Sequence, residues 1–169
     1  MDLPIDRLEI DGPPLLRRKG EERSARRLEA VFELLRRMSK IPLARGDPVT
    51  SPQVLADRLR PRFRDAIREQ FVAVLVDGQN RVLREVTVSV GTLDATLVVP
   101  RDALVEAIRE SASGVLFVHN HPSGNVLPSP EDVRVTHRLR EVCALAGIRF
   151  LDHVIVGESS HYSFQEEGM

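Results

Sequence analysis

The stretch FVHNHPSGNVLPSPED, residues 117–132, ends an apolar run on two histidines one residue apart, turns through Pro and Gly, and restarts at Ser129-Pro130-Glu131-Asp132. The run VLFVHNH has the length and composition of a strand, and residues two apart on a strand share a face. Phe117, His119 and His121 are therefore expected on one side. The segment SPEDVRVTHRLREVCALAG predicts a helix with Val135, Leu139, Val142 and Ala146 along one side and Gly147 closing it. The loop between them is short and turn-rich, so it folds the helix start back toward the strand end. Two imidazoles at a strand end can bind one metal ion if a third ligand approaches, and Asp132 can be that ligand. Two histidines and a carboxylate, with a fourth position left for water, form a catalytic pattern, because structural zinc sites are closed by four protein ligands.

Each piece also has an ordinary reading. Ser-Pro-Glu-Asp is how many helices begin, with Ser at the N-cap, Pro in the first turn and acids facing the positive end of the dipole. His119 and His121 alone could be hydrogen-bonded residues at a strand end. The conjunction of all of them at this spacing favours the metal site. Cys143, the single cysteine, reads as a packed core thiol. His137 and His161 read as exposed. His153, which alternates with Leu151 and Ile155, reads as a core residue or a neighbour of the site, with Asp152 the better partner for a ligand's second ring nitrogen.

Working outward, FVAVLVD, the turn DGQN and RVLREVTVSVG predict a β-hairpin from Phe71. A β-rich TLDATLVV follows, then the helix PRDALVEAIRESA. After the long helix, IRFLDHVIVG and HYSFQ supply the last strands. Upstream, Thr50-Ser51-Pro52 starts a short helix to about Arg60. Leu28, Val31, Phe32, Leu35 and Met38 place one apolar stripe on a helix over about 21–40. The first 20 residues read as a loosely ordered arm. The organisation expected is an arm with an Arg-rich helix over 1–48 and a domain over 49–169.

A chain of 169 residues that is 42% hydrophobic, with six Phe, one Tyr and no Trp, can bury a mainly aliphatic core. No run approaches the roughly 18 residues that a membrane span needs, and MDLPIDRLEI lacks the features of a signal peptide. The expectation is a cytoplasmic chain with no membrane partner, in keeping with one cysteine. Residues 1–68 hold 16 Lys+Arg against 11 Asp+Glu, whereas residues 69–169 hold 8 against 14. The arginine clusters LLRRKGEERSARR and DRLRPRFRD permit weak, salt-sensitive phosphate contact, or form a solvated helix face with interleaved glutamates.

The pattern His-x-His-Pro, six residues, Ser, two residues, Asp resembles the JAMM (MPN) metalloprotease motif, complete here in His119, His121, Pro122, Ser129 and Asp132. The longer run HNHPSGNVLPSPEDVRVTHRLREVCALAGIRFLDHVIVG, with GTLDATLVVPRDALVEAI upstream and HYSFQEEGM at the end, resembles the RadC family over roughly residues 50–169. That resemblance implies an α/β fold of MPN type: a mixed β-sheet flanked by helices, preceded here by a short helical N-terminal segment. It implies zinc held by His119, His121 and Asp132, with Glu69 as general base in a hydrolase of peptide or isopeptide bonds. Glu85, on the next strand of the hairpin, is the alternative base. Ser129 would orient water or donate to the oxyanion, or cap the helix, since one hydroxyl proton cannot do both. The helix-hairpin-helix module common in the family is abbreviated here, with only Gly20 of its Gly-rich hairpin. The alternative expectation is a DNA-associated protein of the family, tethered through its N-terminal arginines.

Overall fold

The computed structural model describes residues 26–27, 31, 43–91 and 100–169. The chain divides into two units, Met1–Leu35 and Arg36–Met169, and every element below belongs to the second. The expected arm, the helix over 21–40 and the β-rich 92–99 lie outside the described residues, apart from Arg26, Arg27 and Val31, which are helical and exposed. Among the described residues, no helix is long and apolar enough to cross a membrane.

Helix α1, Pro52–Phe63, begins with the Ser51 hydroxyl accepting from the Val54 N–H at 3.2 Å, and Pro52 fills a position whose missing N–H costs no helical bond. It runs three residues past the expected end, through Pro61. The ring removes the bond to the Asp57 carbonyl, but the extra turn buries Phe63 against the sheet. Strands β1, Gln70–Val76, and β2, Val82–Val90, form the expected antiparallel hairpin. Its turn is held by Asp77, whose Oδ1 accepts from the amides of Gln79 and Arg81 at 2.8 and 2.9 Å, while Asn80 takes the left-handed conformation at φ 57°. Then come α2, Pro100–Arg109, β3, Gly114–Asn120, α3, Pro130–Leu145, β4, Arg149–Val156, and β5, His161–Ser163.

The sheet order is β2-β1-β3-β4-β5. Only β3 and β4 run parallel, and α3 makes the crossover between them. The other pairs are antiparallel, which gives the mixed sheet. Strands β1 and β3 are central, so both of their faces are covered and they read as unbroken apolar runs rather than alternating ones. Val72, Val74, Val76, Leu116 and Val118 pack toward α1 with Leu55, Leu59 and Phe63. Phe71, Ala73, Leu75, Val115 and Phe117 pack toward α2 and α3 with Ala103, Ala107, Leu139 and Cys143. Burial raises the Cys143 thiol to about 11, consistent with the core role read from sequence.

Leu139 is fully buried where α3 meets the sheet. Leu139→Ala is expected to destabilise the domain by about 2–5 kcal/mol, through lost transfer free energy and the cavity left behind. Urea unfolding would show this as a lower midpoint with an unchanged slope.

Candidate metal centre

Alternation on β3 puts His119 on the face of Phe117, toward α3, and Asn120 on the opposite face with Leu116 and Val118. Because β1 runs antiparallel to β3, with Phe71 opposite His119, the residue just before β1 arrives at the C-terminal end of β3. That residue is Glu69. Because β3 continues through its loop into α3, the first turn of α3 returns to the same end and brings Asp132.

His121 lies one residue past the strand rather than in it. Pro122 has no N–H to extend the ladder. Released from the strand, the His121 ring turns its Nδ1 to the Asn125 carbonyl at 2.6 Å. Gly124 at φ 77° and the bond from its N–H to the His121 carbonyl close the turn. The loop then lies against Gly157 so tightly that a Cβ there would sit 2.6 Å from Val126 Cγ1 and 2.9 Å from the Gly124 carbonyl.

One atom from each of Glu69, His119, His121 and Asp132 lies within 4.8 Å of all the others. His119 Nε2 is 3.0 Å from His121 Nε2, 3.2 Å from Asp132 Oδ1 and 3.8 Å from Glu69 Oε1, and His121 Nε2 is 3.4 Å from Asp132 Oδ2. The Asn125 carbonyl is an acceptor only, so His121 must donate to it through Nδ1–H. The Nε2 of the neutral ring is then a bare lone pair aimed at two carboxylates and another imidazole. Lone pairs crowded in this way require a proton or a cation between them. The donor set of two imidazole nitrogens and two carboxylates fits a divalent metal.

The electrostatics agree. Hydrogen bonding to Asp132 raises the His121 pKa, against the opposing effect of burial. Burial alone would raise the Asp132 carboxyl, but the adjacent His119 and His121 rings and the Ser129 hydroxyl together hold it well below the usual carboxylate range. Ser129 does two things at once, which corrects the expectation that capping would occupy its proton. Its oxygen accepts from the Asp132 N–H at 3.2 Å as the helix cap, and its hydroxyl donates to Asp132 Oδ2 at 2.6 Å. Asp132 Oδ2 also accepts from the Ser129 N–H at 2.7 Å, completing a capping box. Asp132 thus caps the helix through Oδ2 while facing the cluster with both oxygens, Oδ1 toward His119 and Oδ2 toward His121.

Glu85 is not brought to the cluster. It pairs across the hairpin with Val74, which faces α1. On that side it forms an ion pair with Arg62 and accepts from the Leu43 N–H at 3.4 Å.

Asn120 and Thr136, which have parts in the site, were not found from sequence, whereas His153, expected as a core residue or a neighbour of the site, is both. Asn120 accepts from the Gln70 N–H at 2.9 Å and donates to the Arg68 carbonyl at 3.4 Å, gripping the backbone on both sides of Glu69. Its position inside His-x-His was the available signal. The partner of His119 Nδ1 is His153 Nε2 at 2.8 Å, and His153 Nδ1 is 2.6 Å from the Thr136 hydroxyl. This corrects the preference for Asp152, whose carboxylate instead accepts from Ser163 Oγ and from the amides of His153 and Gln165. The reason is a β-bulge. The β3–β4 register slips at Leu151, which packs toward α1, so His153 falls on the α3 face beside Phe117. There it stacks on Phe164, with ring centroids 4.9 Å apart. Burial above all holds the His153 pKa well below its ordinary value, leaving the ring neutral.

A cleft of about 240 Å³ opens beside the cluster, lined by Arg60, Phe63, Arg64, Asn120, His121 and Gly157 among others. It reaches the cluster through His121.

Comparison with known proteins agrees with this architecture. Residues 49–169 match the family model described as a RadC-like JAB domain. The chain is similar to a UPF0758 protein of Syntrophotalea carbinolica, 51% identical over 145 residues, covering 86% of this chain and 64% of the relative. It is also similar to UPF0758 proteins of Pelobacter propionicus, 42% identical over 142 residues (84% and 62%), and Methanosarcina mazei, 39% identical over 144 residues (85% and 63%). It thus spans less than two-thirds of the length of these relatives. With the match covering well over half of its residues, and the mixed five-stranded sheet between helices as the fold, the chain belongs to the RadC-like JAB domain family.

Proposed function

We propose that this domain is a zinc-dependent hydrolase of JAMM type that cleaves a peptide or isopeptide bond. The observation that carries the reading is the convergence of Glu69, His119, His121 and Asp132 from three separate chain segments onto one volume. Two imidazole nitrogens in the set favour zinc over the hard, oxygen-seeking cations. His119, His121 and Asp132 would hold the ion. When bound, zinc polarises the scissile carbonyl and acidifies water in its open position.

The rest belongs to the chain. Glu69 takes a proton from the attacking water as the C–O bond forms, then returns it to the leaving nitrogen as the C–N bond breaks, so it ends the cycle as it began. Asn120 keeps Glu69 in place through the backbone. Ser129 is the assigned donor to the oxyanion. Its oxygen can keep capping the Asp132 N–H while its proton leaves Asp132 Oδ2. The cleft beside His121 gives an extended substrate a path to the cluster.

Metal content of the purified full chain, with cleavage of a quenched fluorescent peptide pool, tests the proposal. Stoichiometric zinc and zinc-dependent cleavage are expected, and a wild-type chain that takes up no zinc would overturn it. Zinc loading is also expected to depend on pH. A proton on His121 competes with the metal, and its pKa is raised, so zinc affinity is at its full value above that pKa and weakens progressively as pH falls below it. Ser129→Ala should lower the cleavage rate by about 2.7–4 kcal/mol of barrier if the hydroxyl reaches the oxyanion. A full-rate Ser129→Ala would leave Ser129 a cap alone.

A further inference from the structure

Behind the cluster runs a chain of buried hydrogen bonds whose direction can be worked out from its far end. Thr136 Oγ1 is 2.6 Å from the Asp132 main-chain carbonyl and 2.6 Å from His153 Nδ1. The carbonyl has no proton, so the single hydroxyl proton of Thr136 must point to it. His153 Nδ1 must then carry a hydrogen and donate it to Thr136. Fully buried between Phe71 and Phe164, with only a hydroxyl and an imidazole against its nitrogens, the His153 ring carries a single N–H, so a lone pair is left on Nε2. His119 Nδ1, 2.8 Å away, must therefore be the N–H that fills it. That leaves His119 Nε2 bare, aimed at His121, Asp132 and Glu69.

We infer that Thr136 and His153 are positioning residues that set the proton order of this wire and so hold His119 in the tautomer whose Nε2 lone pair faces the cluster. With the wire reversed, Thr136 would donate to His153, His153 to His119, and His119 would present an N–H where a ligand lone pair is needed. The wire is closed to solvent, since His119, Thr136 and His153 are all 0% exposed. Water cannot stand in for a lost partner, and the rings are clamped by Phe71 and Phe164 at centroid distances of 5.1–5.6 Å and 4.9 Å. Thr136 sits one turn beyond Asp132 on α3. The same helical turn thus delivers the carboxylate and fixes the imidazole that shares its site.

The consequence for zinc rests on the proposed function, but the tautomer itself does not. Two measurements on the full chain separate them. In zinc-free protein carrying ¹⁵N-histidine, the ring nitrogens of His153, which lies outside the cluster, should report hydrogen on Nδ1 and none on Nε2. Hydrogen on Nε2 would overturn the inference whether or not zinc binds.

The second measurement is zinc affinity by competition with a chromophoric chelator. Thr136→Val keeps the shape of the side chain and removes the acceptor for His153 Nδ1–H. A buried N–H without a partner disfavours that tautomer, so the wire reverses. Thr136→Val should bind zinc about 10–100-fold more weakly, the usual cost of losing a partner behind a ligand, and Thr136→Ser should restore the wild-type affinity. Thr136→Val binding as tightly as wild type would overturn the inference while leaving the metal site standing. Should Thr136→Val fail to fold, the ring nitrogens of the wild-type chain and the affinity of Thr136→Ser still decide the question. A wild-type chain that binds no zinc would sink the proposed function instead.

Discussion

Glu69→Gln is expected to lower peptide cleavage by about 10²- to 10⁴-fold, the range that a positioned general base contributes, while zinc content stays at its wild-type value. Gln has the shape of Glu but cannot accept the proton of the attacking water. The three residues assigned to the metal are untouched, so the ion should remain. The Glu69 side chain is only partly covered, at 26% exposure, and its backbone is fixed from outside by the Asn120 amide and by the Gly91 N–H, which donates to the Glu69 carbonyl at 2.8 Å. The substitution should therefore leave the fold and the thermal midpoint nearly unchanged. Measuring rate and zinc content on the same preparation separates base from ligand. A parallel loss of metal would make Glu69 a ligand, and an unchanged rate would remove it from the mechanism.

His119→Ala has the other large expected effect. It removes the one side chain that touches every other member of the cluster. Zinc affinity should fall by more than the roughly 100-fold that marks the upper end for loss of a partner behind a ligand, so that the purified variant carries no stoichiometric zinc. His119 is also fully buried and stacked on Phe71 at 5.6 Å. Its removal leaves a cavity and orphans His153 Nε2, so a drop in stability accompanies the loss of metal. Chelation of wild-type protein gives the metal part of the effect alone. If His119→Ala retained full zinc, the site would have to be placed elsewhere.

The sequence carried the parts of this molecule that depend on local chemistry. A period of two places His119 on the face of Phe117, Ser129-Pro130 starts a helix at the right distance from the strand, and unbroken apolar runs at 71–76 and 114–118 mark strands covered on both sides. Those signals are local because backbone geometry repeats over a few residues. Which carboxylate joins the histidines was not local. Glu69 and Glu85 are the same residue type, one just before β1 and the other on β2, but the β1–β2 register sets Glu85 opposite Val74, on the α1 face with Arg62. Antiparallel pairing of β1 with β3 carries the start of β1, and with it Glu69, to the end of β3.

The same holds for the wire behind His119. A one-residue slip at Leu151 inverts the face on which His153 would otherwise fall, and no periodicity in RFLDHVIV announces it, because a bulge is a property of two strands together. Residue types, spacing and helix start therefore determined that a metal-capable set exists here. Strand register, crossover and bulge, which form only when distant segments pair, decided which side chains meet and which nitrogen of each ring faces inward.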